Sequence, residues 1–147
     1  MGNYTRVHIK FKLRSDTPFD VIRFLKDSLV KDENDERPIY NESYVPIDAP
    51  FTKCERWQSF FHGKNFDESI PESRIWQSHV GIWNIEINSE FKNYDSELEK
   101  FIEFIAPYIH GRKIKQFFGW YKLDSDVYNN DRYYIHINTI TKQSSIS

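Results

Sequence analysis

Residues 79–122 constrain the fold most, because they combine a strand pattern, a helix pattern and a second strand pattern. Apolar and polar residues alternate over residues 80–88, as in a strand with one buried face and one exposed face. From the predicted N-cap Asp95, apolar residues recur at spacings of three and four, which places them in one helical stripe. Pro107 ends this helix, and residues 116–123 form the second strand. This unit predicts a layered α+β core.

The N-terminal segment predicts the first strand and the first helix. Over residues 6–14, Val, Ile, Phe and Leu alternate with Arg, His and Lys, so one face is apolar and the other is cationic. Thr17 is the predicted N-cap of a helix that begins at Pro18 and runs to about residue 30. Residues 31–56 lack periodicity and are rich in charge and proline, which indicates an irregular insertion or flap.

The remaining segments complete the predicted order of elements. Residues 57–62 are expected to form a short strand, and residues 74–79 to extend the strand that begins at Val80. Residues 133–141 are expected to form the last strand, as part of a β-hairpin, and residues 142–147 a frayed tail.

The first six elements follow the split βαβ order, which predicts a ferredoxin-like two-layer sandwich. We expect a mostly antiparallel sheet of about five strands, with the first strand near its centre and two helices on one face. The 147 residues fit one domain, with the insertion at 31–56.

Composition limits the classes of function. The net charge of −2 gives no overall basic field of the kind that draws a domain to nucleic acid. A single cysteine, Cys54, excludes an intramolecular disulfide, and no Cys/His spacing indicates a metal. No signal-peptide pattern or long apolar run is present, so we expect a soluble cytoplasmic protein without a membrane partner. The glycine motifs of nucleotide and hydrolase sites are absent, so no cofactor is expected.

Residues 89–101, 106–108 and 118–121 resemble segments of a family of small uncharacterised proteins from bacteria and their phages, and residues 10–25 resemble it more loosely. This resemblance covers about half of the chain. It implies a bacterial or phage origin and assigns no catalytic residue.

The cationic face of the first strand has two interpretations. In the structural one, Lys10, Lys12 or Arg14 pairs with Glu86 or Glu90 on the neighbouring strand. In the functional one, an open sheet face binds an anionic ligand or a flat ring. The predicted ligand-binding residues are His8, Lys10, Lys12, Asn84, Trp120, Tyr134 and His136.

Enzymatic alternatives have less support. A hydrolase or nuclease acting on a phosphoester from this face could use His8 or His136, but neither lies in the HxT or HxS pattern of two-histidine phosphoesterases. The run FFGWY at residues 117–121 has aromatic residues for stacking bases, yet it follows the second helix, so nucleic acid is not favoured. We expect a non-enzymatic binding or regulatory protein, encoded by a phage or mobile element, whose partner is a host protein or a small anionic ligand. Exposed sheet edges predict a homodimer.

Overall fold

The computed structural model describes residues 4–29, 47–62, 72–123 and 132–147. Residues 31–46 of the predicted insertion therefore lie outside the described residues. The helices are α1 (Phe19–Leu29), α2 (Ser59–His62) and α3 (Glu97–Ile105), with 3₁₀ turns at Phe51–Lys53 and Ala106–Tyr108. The strands are β1 (Thr5–Lys12), β2 (Arg74–Gln77), β3 (Trp83–Phe91), β4 (Gln116–Leu123), β5 (Tyr133–Asn138) and β6 (Gln143–Ile146).

The strands form one antiparallel sheet in the order β2-β3-β1-β4-β5-β6. The described residues thus contain six strands rather than about five. The extra strand, β6, arises from the segment expected to be a frayed tail. The Asn138 side chain accepts hydrogen bonds from the amides of Ile140 and Thr141, both at 3.0 Å, and so turns the chain back for pairing with β5.

Strand β1 lies inside the sheet, between β3 and β4, as predicted. Its odd-numbered residues are buried, whereas Lys10 and Lys12 are exposed on the opposite side. We call the side on which Arg6, His8, Lys10 and Lys12 project the outer face. The opposite side is the helical face.

The core lies between the helical face and the two longer helices. The Phe101 ring of α3 packs 4.6 Å from Phe60, 5.3 Å from Phe51 and 6.4 Å from Phe11 of β1. Phe24 of α1 contacts Phe104 of α3 edge-on at 5.8 Å, so the two helices share one apolar cluster with the sheet. Such ring pairs add stability beyond the apolar area that they bury.

The prediction of a strand at residues 57–62 is wrong. This segment contains a turn followed by α2, with Trp57, Phe60 and Phe61 buried. These three positions have the spacing of a helical face, and their rings pack against α1 and α3. Packing of these side chains therefore outweighs the strand preference of aromatic residues.

Residues 74–79 do not extend the strand that follows them. They form β2 and a turn in which the Ser78 amide donates to the Ile82 carbonyl at 2.8 Å. Gly81 adopts a φ of +86°, a conformation that glycine reaches without a steric penalty. The chain therefore folds back, and β2 pairs with β3 as a hairpin.

The predicted cap of the second long helix is also wrong. Helix α3 begins at Glu97 rather than Asp95, and the Asn93 side chain accepts a hydrogen bond from the Leu98 amide at 3.1 Å. Thr17 does not cap α1 through its hydroxyl, which donates instead to the Arg14 carbonyl at 2.6 Å. Both segments contain several residues able to cap, and the path of the chain selects among them.

None of the helices in the described ranges combines the length and apolar character needed to cross a bilayer.

Candidate functional site on the outer face

Strand register places the predicted ligand-binding residues on one side of the sheet. His8 is the cross-strand neighbour of Asn88 on β3 and of Trp120 on β4. Trp120 in turn faces Tyr134 on β5. Because facing residues of paired strands project to the same side, these four side chains form a row across the outer face.

Trp120 is the centre of an aromatic and basic group that we call the Trp120 patch. It consists of His8, Phe117, Trp120, Arg132 and Tyr134. The Arg132 guanidinium carbon lies 4.3 Å from the centre of the indole, and the His8 ring lies 5.9 Å away at 36°. The rings of Phe117 and Tyr134 are 6.4 Å apart, with exposures of 54% and 44%. The patch therefore presents flat aromatic surface and positive charge together.

A hydrogen-bonded chain orients His8. His8 Nδ1 lies 2.5 Å from Asn88 Oδ1, while Asn88 Nδ2 donates to Glu86 Oε1 at 3.3 Å. Because the Glu86 carboxylate accepts hydrogen bonds, this contact fixes the amide of Asn88 with its oxygen toward His8. His8 Nδ1 must then carry a proton, and its Nε2 is the nitrogen left to meet a ligand.

The two carboxylates of the outer face pair with arginines. Arg6 Nη2 lies 2.7 Å from Glu90 Oε1, and Arg74 Nε lies 3.5 Å from Glu86 Oε1. Both carboxylates are buried, so these arginines compensate charges that lie largely out of solvent.

The expected ion pair of Lys10, Lys12 or Arg14 with Glu86 or Glu90 is not found among the described residues. Within the described residues, neither Lys10 nor Lys12 makes an ion pair, and Arg14 pairs with Asp16 at 2.8 Å. Lys10 and Lys12 keep exposed charges that can meet an anion.

A second aromatic group lies near the β2 edge of the outer face. The Trp76 indole centre is 4.4 Å from the Arg74 guanidinium carbon and 5.9 Å from Lys10 Nζ. Lys10 belongs to β1, with β3 between it and β2, so the two side chains approach each other over β3. This position accounts for the burial of Asn84 and Glu86, whose exposures are 7% and 6% although they face away from the helices.

The predicted residues separate into two groups along the strands. His8, Trp120, Tyr134 and His136 lie near one another, whereas Lys12 faces Asn84 at the other end of β3. Asn84 is four residues from Asn88, which is about 13 Å along a strand. Its amide donates to the Ile82 carbonyl at 3.0 Å. Asn84 thus supports the local backbone. Lys10 lies between the two groups, because it stands between His8 and Lys12 on β1.

The two histidines considered for catalysis share the outer face but are not adjacent. Strand β4 lies between their strands, which separates β1 from β5 by about 10 Å. His136 packs against Phe117 at 5.8 Å, and its buried Nδ1 has no hydrogen-bond partner in the described part of the chain. A proton could not pass directly between His8 and His136.

Two groups with shifted acidity lie away from the outer face. Burial raises the pKa of the Cys54 thiol, and Glu97 and Asp95 add to the increase while Lys100 opposes it. Burial also raises the pKa of Tyr121, assisted by Glu99 and Tyr133. Cys54 is therefore protonated at neutral pH, which suits its buried position beside backbone carbonyls rather than a nucleophilic role.

Sequence reasoning missed three contributors to the outer face. These are Arg74 and Trp76 of β2, and Arg132. Residues 74–77, Arg-Ile-Trp-Gln, do not alternate between polar and apolar, so no strand pattern indicated the face of the first two. Arg132 carried no such signal either, because it precedes its strand.

Comparisons of this chain with models of known protein families, with curated protein sequences and with solved structures found no match.

Proposed function

We propose that this chain is a binding protein whose outer face holds an anionic ligand carrying a flat ring. The observation that supports this proposal is the Trp120 patch, where an indole, an exposed tyrosine, a guanidinium and an oriented imidazole lie side by side. A ring of the ligand stacks on Trp120 or Tyr134, while Arg132 and Lys10 compensate its charge.

Charge on the outer face favours an anion although the whole chain is acidic. Strands β1 to β4 place five cations there, Arg6, Lys10, Lys12, Arg74 and Lys122. The same strands contribute only two carboxylates to that face, Glu86 and Glu90. The field at the outer face is therefore positive, and it attracts an anion over about one Debye length, close to 8 Å at physiological salt.

A second candidate function is hydrolysis of a phosphoester, and the orientation of His8 favours it. Its Nδ1 is held by Asn88, so Nε2 is available as a general base. Hydrolysis of p-nitrophenyl phosphate or bis(p-nitrophenyl) phosphate that is lost in His8→Gln would establish this activity over simple binding.

The strand order also supports a finer proposal about the fold. Strands β1 to β4 lie in the order β2-β3-β1-β4 in the sheet. Along the chain, α1 lies between β1 and β2, and α3 lies between β3 and β4. We propose a ferredoxin-like unit that β5 and β6 extend at one edge.

The proposed function is tested by titrating the protein with adenosine monophosphate and following both tryptophan fluorescence and calorimetric heat. Adenosine and inorganic phosphate are titrated separately, since each carries one half of the expected ligand. We expect saturable binding of the monophosphate, weaker binding of either half, and a loss of at least tenfold in Trp120→Ala.

Trp83→Phe is the matched control for the fluorescence signal. Trp83 lies on the helical face beside Lys26 of α1, so its replacement leaves the Trp120 patch intact. Binding that is unchanged by Trp120→Ala, or the absence of binding of every nucleotide and polynucleotide tested, would overturn the proposed function.

Three further expectations stay predictions: a phage or bacterial origin, a host protein as partner and a homodimer. The edges available for pairing are β2 and β6. A light-scattering mass near 17.8 kDa at micromolar concentration would contradict the dimer.

A further inference from the structure

Two tryptophans of the outer face each lie beneath a guanidinium, one on the edge strand β2 and the other on β4. Arg74 covers Trp76 at 4.4 Å, and Arg132 covers Trp120 at 4.3 Å. The side chains of Trp76 and Trp120 are both partly exposed. Arrangements of aromatic rings and arginines are typical of surfaces on which successive bases stack without sequence preference.

The distance between the two tryptophans exceeds the size of one nucleotide. Trp120 and Trp76 are three strands apart and are displaced by four residues along β3, which places their Cα atoms about 20 Å apart. This corresponds to about six stacked nucleotides at 3.4 Å each. His8 and Lys10 lie between the two tryptophans, on β1.

Several cations along this diagonal are available for phosphate contacts. Among the described residues, Lys10, Lys12 and Arg132 form no ion pair, and the two carboxylates of β3 pair with Arg6 and Arg74. In the sequence, the net negative charge and the position of the aromatic run 117–121 after the second helix argued against nucleic acid. In the structure, Trp76 and Trp120 both lie on the outer face, and the cations of β1 are concentrated there.

We propose that the outer face binds single-stranded nucleic acid, laid diagonally from Trp120 to Trp76 with its phosphates along Lys10, Lys12 and Arg132. This inference rests on the proposed function, because it extends the ligand from one anion with a stacked ring to a strand of linked nucleotides. The surface offers aromatic rings for stacking and positive charge, so binding requires unpaired bases but no particular base sequence.

The test is fluorescence anisotropy of the full chain with a fluorescein-labelled thymidine 12-mer, a uridine 12-mer, a 12-base-pair duplex and, as competitor, thymidine monophosphate. We expect both single strands to bind at least tenfold more tightly than the duplex and the monophosphate. Three phosphate contacts predict that log K falls with log salt at a slope of about −2.

Variants of Trp76 and Trp120 locate the bound nucleic-acid strand. Trp76→Ala and Trp120→Ala should each weaken binding of the thymidine 12-mer at least tenfold, as expected for one lost stacked base. Trp76→Phe and Trp120→Phe should recover most of the affinity, and circular dichroism verifies that each variant folds. Lys10→Gln should lower the salt slope, whereas its matched control Lys53→Gln, on the 3₁₀ turn that packs against α3, should not.

The outcomes separate this inference from the proposed function. Monophosphate binding that depends on Trp120, together with a 12-mer that binds no more tightly and is insensitive to Trp76→Ala, overturns the nucleic-acid inference alone. Equal affinity for duplex and single strand also overturns it, because stacking would then contribute nothing. Absence of binding by both the monophosphate and the 12-mers overturns both proposals.

Discussion

The two faces of the sheet both carry aromatic side chains, but those side chains have different partners. On the helical face, Phe51, Phe60 and Phe101 are fully buried and contact one another. On the outer face, Trp76 and Trp120 are partly exposed and contact arginines. The first group excludes water from the core, whereas the rings of the second group remain partly exposed, each with an arginine over it.

This difference shows that aromatic content alone does not indicate a binding surface. The chain contains 12 Phe, 9 Tyr and 4 Trp. Much of the phenylalanine fills the core between the helices and the sheet. What distinguishes the outer face is that its rings lie among cations whose charges the neighbouring carboxylates do not all neutralise.

The largest expected difference between the faces is in stability. Phe101→Ala removes the ring at the centre of the core and should lower the free energy of unfolding by about 3–5 kcal/mol. The matched variant Phe117→Ala, on the outer face, should change it by about 0.5 kcal/mol, since that ring is half-exposed. Urea unfolding followed by circular dichroism measures both, and equal losses would remove the distinction.

Gly119→Ala tests the contact between β4 and β1. A methyl group there would overlap the backbone carbonyl oxygen of His8, which cannot move without disturbing the sheet. We expect a loss of about 1–3 kcal/mol in the free energy of unfolding and an altered environment of His8. Ser145→Ala, at an exposed position of β6, serves as the control in the same urea experiment. A variant as stable as the wild type would show that the strands are not this close.

Asn88→Ala tests whether the outer face is internally ordered. It removes the side chain that joins His8 to Glu86 and leaves buried polar groups with fewer partners. We expect a loss of about 1–3 kcal/mol in unfolding free energy, and a change in the tautomer of His8 visible in nitrogen chemical shifts. Gln143→Ala is an exposed control. An unchanged tautomer would mean that Asn88 does not orient the ring.

The smallest expected effect concerns pH and the helical face. Burial raises the folded-state pKa of Tyr121 above its unfolded value of about 10. The folded state therefore holds the proton more tightly, so this contribution to stability is complete below about pH 10 and is lost as the pH rises further. Tyr121→Phe should flatten the fall in unfolding free energy between pH 9 and 11.

Some elements could be predicted from the sequence because their signals are local. Alternation identified β1 and β3, and spacings of three and four identified the buried stripes of α1 and α3. The same alternation placed His8, Lys10 and Lys12 on one side of β1. Residues 57–62 were misassigned because a short aromatic segment fits a strand or one helical turn equally well until its packing partners are known. At residues 74–77 the strand was predicted, but the turn at Gly81 that separates it from β3 was not.

The amino-acid sequence by itself determined which side chains of each long strand share a face, because that follows from the geometry of successive residues. Only the tertiary structure decided which strands are neighbours. Strand pairing placed Glu86 between Lys10 and Arg74, brought Glu90 to Arg6, and placed Trp76 and Trp120 on the same surface. These relations join residues far apart in the chain, so no local pattern specifies them.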